Sequence, residues 1–379
     1  MKIPMTPKQN ILNLTYQVFC DAVAELGLPK FRATQIFEWI YKKHTFNFAA
    51  MTNVSQSDRD VLAQYFEITL PQVDQTQDSA DGSTKFLLKA QDGRLIESIL
   101  MRVQDRRTLC VSSMVGCPLK CRFCATGSEI GFIRNLEAAE IIGQVLAAES
   151  FTGEKVSNIV FMGMGEPLLN REALEVSLDL LLDKKAVGLA PARITISSAG
   201  IVPAFSEVIN KFGVRPALSL HFPTGAQRSE YMPVNRGYPL AAVLADLKKM
   251  HIKPRDHITI EYIMLCCIND TEEHAHELAR ILRGLHVLIN LIPYNPTATF
   301  DAQPSTAAQM DLFIKVLIDR GLRVTVRRSA GTDVDGGCGQ FALRREAFLG
   351  KVGTRTHCMQ SKCSRNQRSR CKKCDNEKF

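Results

Sequence analysis

The 379-residue chain has no run of 18 apolar residues, so no membrane-spanning helix is expected. Its first residues, Met1–Asn10, are polar and lack the apolar centre of a secretory signal, which points to the cytoplasm. It has no internal repeat, so a repeat array is not expected, and no low-complexity stretch precedes the tail. Aromatic residues are few, 7% with a single Trp, beside 45% hydrophobic and 23% charged residues. That balance is that of a soluble globular protein with one large core and smaller appendages.

Charge and cysteine are present, and neither is evenly spread. The net charge is +8, yet residues 351–379 hold nine Lys/Arg against two Asp/Glu, leaving 38 basic and 37 acidic residues in the rest. A near-neutral body with a basic tail suggests an acidic polymer as partner, nucleic acid first; a disordered solubilising tail fits the charge equally well. Of the twelve cysteines, eight fall in two groups: Cys110, Cys117, Cys121 and Cys124, then Cys358, Cys363, Cys371 and Cys374. Without a secretory signal, such clustering indicates metal or redox chemistry rather than disulfides. Cys20, Cys266 and Cys267 read as small apolar packing residues.

Residues 1–84 read as a small helical accessory domain plus linker, with helical spacing of apolar residues through Ile11–Leu26 and Ile36–Tyr41. Ser57 and Asp60 form a capping-box signal before Val61–Phe66. Residues 85–107 read as a hairpin about Asp92-Gly93. Its second strand places Glu97 on one face with Leu95, Ile99 and Met101. There the carboxylate is either paired, shifted in pKa for a task, or half-exposed at an edge. From 108 to 340, seven candidate strands (beginning with Thr108–Met114 and ending with Arg323–Arg327) alternate with helical stretches. The pattern predicts an α/β fold, an incomplete (β/α) TIM-like barrel whose function sits at the C-terminal ends of its strands. Residues 341–379 are the basic, Cys-rich tail.

The strongest motif is Cys117-x3-Cys121-x2-Cys124, just past the first barrel strand. Three thiolates at this spacing can hold three irons of a [4Fe–4S] cluster, leaving the fourth iron open to substrate. A structural zinc site would need a fourth ligand, and none lies in the run. Other candidate residues end further strands: Gly165 and Glu166 in Gly163-Met-Gly-Glu-Pro167, Ser197, then Ser219-Leu220-His221, and Asn295. Each alone could be a cap, a core polar group or a turn.

The Cys-x3-Cys-x2-Cys run resembles the signature of the radical S-adenosylmethionine (SAM) superfamily, and Gly163–Pro167 is similar to its segment that contacts the SAM amino group. Within that superfamily, Leu109-Cys110-Val-Ser-Ser113 and Asp335-Gly-Gly-Cys338-Gly-Gln340 resemble the RlmN group of adenine-C2 RNA methyltransferases and their Cfr-type C8 relatives. The similarity runs from about Phe31 to Gln340.

The resemblance implies a radical SAM fold, a [4Fe–4S] cluster on Cys117, Cys121 and Cys124, and two SAM per turnover. SAM contacts would come from Gly165, Glu166, Ser197, Ser219, Leu220, His221 and Asn295. Cys338 would accept a methyl group from a first SAM. A radical from the second would activate that S-methyl for attack on the adenine ring. Glu97 would remove the ring proton, and Cys110 would attack Cys338, forming a transient disulfide and freeing the methylated base. The implied partners are 23S rRNA, at an adenosine of the peptidyl-transferase centre, and tRNA, at the adenosine beside the anticodon. A flavodoxin-type electron donor and a monomeric state are also expected.

Two features depart from the group. Gly336-Gly337 stand where two alanines are expected, and the tail is extra. Cys358, Cys363, Cys371 and Cys374 there could hold zinc and grip RNA phosphates, or be free thiols of a disordered segment. The segment Gly163–Asn170, with its proline, is closer to the C2 group. A non-catalytic iron–sulfur RNA-binding protein is the reading of another class, but it would need neither Cys110 nor Cys338. A radical SAM enzyme for a small molecule would need neither the helical domain nor the basic tail.

Overall fold

A computed structural model describes residues 8–297 and 299–327. Cys338 and the tail cysteines Cys358, Cys363, Cys371 and Cys374 lie outside the described residues.

The N-terminal part holds a short strand, β1 (Gln9–Asn10), and helices α1 (Tyr16–Glu25), α2 (Phe31–Tyr41) and α3 (Gln56–Tyr65). Phe19 stacks on Phe37 with centroids 5.6 Å apart, and the edge of Phe66 meets Phe19. Helix α3 starts two residues before the expected capping box: Ser55, not Ser57, accepts the Asp58 N–H. The Ser-x-x-Asp spacing occurs twice here, and the earlier start leaves Val54 buried just ahead of the cap. Phe66 leaves the helix and enters β2 (Phe66–Glu67), which pairs with β1. Asn13 ties this part to the body, its Oδ1 accepting from Ala139 N and its Nδ2 donating to Glu137.

Among the described residues the body is one ten-stranded sheet. Its antiparallel portion is β3 (Gln72–Asp78), β4 (Thr84–Lys89) and β5 (Leu95–Val103), with β4 and β5 joined at Gly93, φ +80°. Strand β3 escapes sequence reading because it is an edge strand with one apolar residue and hence no alternation. Strand β6 (Arg106–Cys110) pairs antiparallel with β5 and parallel with β9 (Asn158–Phe161). It stops at Cys110, short of the expected Met114, because side chains take over from the ladder: Ser112 N donates to Gln144, and Ser112 Oγ donates to the Glu97 carbonyl. A separate hairpin follows, β7 (Met114–Gly116) against β8 (Phe132–Asn135).

After β9 the parallel ladder runs through β10 (Ile194–Ser198), β11 (Arg215–Ser219), β12 (Ile258–Met264), β13 (Val287–Pro293) and β14 (Arg323–Val326). Helices α4 (Ala138–Thr152), α5 (Arg171–Leu182), α6 (Ala204–Phe212), α7 (Gly225–Tyr231), α8 (Leu240–Leu247), α9 (Glu272–Ile281) and α10 (Ala307–Asp319) lie between strands. With β6 this makes seven parallel strands, the expected incomplete barrel. Its two sides approach each other: Arg327, just past β14, places Nη1 3.5 Å from Met162 Sδ at the end of β9.

Register and alternation define two faces. Ile196, Leu218, Ile260 and Ile289 are fully buried in the main apolar core. Cross-strand partners then set the opposite face, running from Ile99 to Cys110 to Val160 to Thr195, then, two residues along β10, from Ser197 to Ala217 to Thr259, and, two residues along β12, from Glu261 to Asn290 to Thr325. Two residues further along their strands, Met162, Ser197 and Ser219 continue that face. It is mixed, with Ser197, Ser219 and Glu261 putting polar groups toward the strand ends, where a ligand could be held. Among the described residues no helix is long and apolar enough to cross a membrane.

Candidate active site

The cysteine motif is a loop pinned at both ends. Gly116 sits at φ +78°, and a Cβ there would lie 1.7 Å from the Gly131 carbonyl oxygen, so only glycine lets the loop close. Cys117 N donates to that carbonyl at 2.8 Å. Beyond Cys124 the chain makes one wide π turn, Thr126–Ile130. Arg122 N donates to Tyr231 O, fastening the loop to α7.

The three thiols open on a cavity of about 230 Å³, walled opposite by the strand ends: Met162, Gly165, Glu166, Ser197, Ser219, His221, Glu261 and Arg327. Burial pushes the Cys117 thiol up to about 12, holds Cys121 well above its ordinary value, and raises Cys124 too. Three buried thiolates therefore need a cation. Backbone N–H groups already turn toward them, from Leu119 to Cys117 and from Gly127 and Thr126 to Cys124. Among the described residues no three His, Cys, Asp or Glu side chains converge on a single ion. Thiols spread round a cavity suit instead a cluster in which each sulfur takes its own iron. The donor set fits a [4Fe–4S] cluster.

Glu166 is buried facing the thiols. Its Oε2 accepts from Ala199 N at 2.8 Å and its Oε1 from Leu168 N at 3.2 Å. Burial nonetheless raises this carboxyl to about 7. His221 holds a left-handed backbone, φ +57°, so the chain bends at the end of β11. Asn269 fixes it by donating to its carbonyl at 2.8 Å, while Ile263 N donates to its Nδ1 at 3.2 Å. Burial, then the Arg228 charge, lowers its pKa to about 3. A neutral ring accepting at Nδ1 carries its proton on Nε2. The edge of Phe123 closes against that ring, centroids 5.0 Å apart. Ser197 and Ser219 place their hydroxyls 3.4 Å apart.

Glu97 and Cys110 lie on the same face behind Met162. Cys110 stands opposite Ile99, so Glu97 is its diagonal neighbour. Of the three alternatives for Glu97, the paired one holds: Lys85 Nζ lies 3.1 Å from Oε2, and both side chains are about 2–3% exposed. The Cys110 thiol is raised by burial, and Arg327 and the Met162 N–H pull it back down. Glu97 and Lys85 are both within electrostatic reach of that sulfur.

Thus the three cluster cysteines, Gly165, Glu166, Ser197, Ser219 and His221 share one cavity, as the sequence predicts. Leu220 and Asn295 are not in its wall. The Leu220 side chain turns into the main core, and half-buried Asn295 lies two residues past the end of β13. Cys266 and Cys267 are not packing residues: the first is half-buried and the second exposed, on the turn that follows β12. Sequence reading missed Glu261, Arg327, Lys85 and Arg228. Alternation in Ile258-Thr-Ile-Glu261 marks Glu261; for Arg228, on a short helix, no signal exists.

Comparison with known proteins agrees with this geometry. Residues 9–68 match the family model described as the ribosomal RNA large subunit methyltransferase N-terminal domain, and residues 111–282 match the radical SAM superfamily. A probable dual-specificity RNA methyltransferase RlmN of Pseudothermotoga lettingae is 40% identical over 88% of this chain and 98% of its own length. A dual-specificity RNA methyltransferase RlmN of Alkalilimnicola ehrlichii is 41% identical over 95% of this chain and 99% of its own. A crystal structure of a radical SAM methyltransferase from Sphaerobacter thermophilus superposes with a TM-score of 0.82 at 36% identity, covering 88% of this chain and 98% of that one.

Proposed function

The chain belongs to the RlmN family of radical SAM RNA methyltransferases, and on that premise we propose that it methylates carbon 2 of adenine in RNA. The proposed targets are an adenosine of the peptidyl-transferase centre in 23S rRNA and the adenosine beside the anticodon in tRNA. One observation carries the reading: a single inner face joins the thiol cavity to Cys110 and Glu97.

Cys117, Cys121 and Cys124 would hold the cluster, which with SAM supplies a carbon radical able to take hydrogen from an unactivated methyl group. The chain's own residues do the rest. Glu166 and the peptides around Gly165 receive the SAM ammonium, which would restore the charged form of a carboxyl that burial alone holds near 7. Ser197 and Ser219 offer paired hydroxyls, and His221 offers an N–H donor that stays neutral. Phe123 and Met162 add apolar wall beside the reacting centre.

Cys338 carries the carbon that becomes the new methyl. Glu97, oriented by Lys85, takes the ring proton, and the unpaired electron left on the ring by the radical addition leaves to a one-electron acceptor. Cys110 then attacks the Cys338 sulfur: the S–S bond forms as the S–C bond breaks, and the released carbon is protonated. Arg327 favours the thiolate this attack needs. The reading includes two SAM per turnover, a flavodoxin-type donor, and a cytoplasmic monomer.

The test uses anaerobically reconstituted protein with reductant, SAM and unmethylated 23S rRNA or tRNA, followed by mass spectrometry of the digested RNA. 2-Methyladenosine is expected. 8-Methyladenosine would move the protein to the C8 branch, which Pro167 argues against. SAM cleavage without methyladenosine in either RNA would overturn the reading.

A further inference from the structure

Arg228 is the largest fully buried side chain of the described residues. Its guanidinium is satisfied only in part. Nη1 donates to Asn235 Oδ1 at 2.9 Å and Nη2 donates to the Ala199 carbonyl, while Nε has no partner among the described residues. Among those residues no carboxylate lies within ion-pair distance. A guanidinium stays charged in proteins, and burying that charge without a counter-ion costs several kcal/mol.

Its position says what compensates it. Ala199, which takes the Nη2 bond, lines the cavity and donates its own N–H to Glu166. Met232, whose N–H closes on the Arg228 carbonyl, lines the same cavity. The acidic groups acting on the guanidinium are the Cys121 thiol and Glu166, both on the cavity wall. Arg228 thus stands behind the cavity wall at Ala199, on the side of Cys121.

We propose that Arg228 is a positioning residue whose buried charge compensates the anionic cluster–thiolate unit and raises its reduction potential, so that a one-electron donor of the flavoprotein class can reduce it. The sign follows from charge alone. Accepting one electron makes the unit more negative, and a fixed cation nearby favours that form. The inference rests on the cluster reading above.

The test is a potentiometric titration of reconstituted full-length protein, followed by electron paramagnetic resonance of the reduced cluster. Arg228→Gln removes the charge. Asn235→Asp neutralises it nearly isosterically by placing a carboxylate against Nη1. Both are expected to move the midpoint potential to more negative values, with Arg228→Lys staying closer to wild type. If Arg228→Gln fails to load iron, the other two variants decide. Fully loaded variants at the wild-type potential would overturn the inference alone. A wild-type protein that assembles no [4Fe–4S] cluster would overturn the cluster reading and this inference with it.

Discussion

Two buried carboxylates sit on the two halves of one sheet, and they are held by opposite means. Glu97, on antiparallel β5, has a lysine ammonium at 3.1 Å. Glu166, beyond parallel β9, touches only backbone N–H groups and a serine hydroxyl, and burial holds its proton up to about 7. A carboxylate with its own counter-charge is complete within the chain. One held by N–H and hydroxyl dipoles, with the Arg228 charge acting only from beyond ion-pair distance, is complete only when a cation arrives. The antiparallel half therefore carries a preassembled pair, and the parallel half carries a receptacle. Cys110 stands at the seam between them, with Ile99 of β5 on one side and Val160 of β9 on the other.

Experiments that separate the two halves follow from this, in descending order of effect. Cys121→Ser should remove an iron ligand and abolish methylation, with the visible absorbance of the cluster lost; a full cluster in that variant would break the assignment of the loop. Lys85→Met should leave Glu97 buried without its counter-charge and cost about 3–5 kcal/mol in urea denaturation. Adding Glu97→Leu should recover most of that loss. A cost below about 1 kcal/mol for the single variant would mean that the pair does not hold the antiparallel half together.

Glu166→Gln should act through pH. The folded-state carboxyl is raised to about 7 from 4.5, so the folded protein binds the extra proton between those values. Its stabilisation is fully present below about 4.5 and lost as pH rises through 7, on the order of 3 kcal/mol. His221, lowered to about 3, has the opposite slope, losing stability as pH falls from 6.5 toward 3. It is common to both proteins and cancels in the difference. Cluster-free wild type should therefore lose stability relative to Glu166→Gln between pH 4.5 and 8; a flat difference would contradict the description of Glu166 as a buried carboxyl without an ion-pair partner. The smallest effect is expected at exposed Cys267, where Cys267→Ser should change stability by under about 0.5 kcal/mol and leave methylation unaltered.

Much of this was legible in the chain. Alternating strands and helices predicted the barrel, and the cysteine spacing predicted the loop that opens on the cavity. Strand-end placement predicted Glu166, Ser197, Ser219 and His221 together, because consecutive parallel strands bring their C-terminal ends to one rim. What escaped was set by contacts remote in sequence. Lys85 is a diagonal cross-strand neighbour of Glu97, visible only with the register. Arg228 lies on a seven-residue helix whose packing no periodicity announces. Strand β3 lacks alternation because it holds a single apolar residue and, among the described residues, lies at the edge of the sheet. Cys266 and Cys267 escape because a free cysteine reads as a small apolar packing residue, whereas the chain has already left β12 there and Cys267 is exposed.

The division of labour between the two halves is tested most directly by Cys110→Ala, assayed for SAM cleavage and for RNA covalently bound to the purified protein. Cleavage at the wild-type rate with trapped protein–RNA adduct is the expected result, since the cavity is intact and only the resolving thiol is missing. Free RNA with normal methylation, or loss of SAM cleavage, would contradict the placement of Cys110 at the seam between the two chemistries.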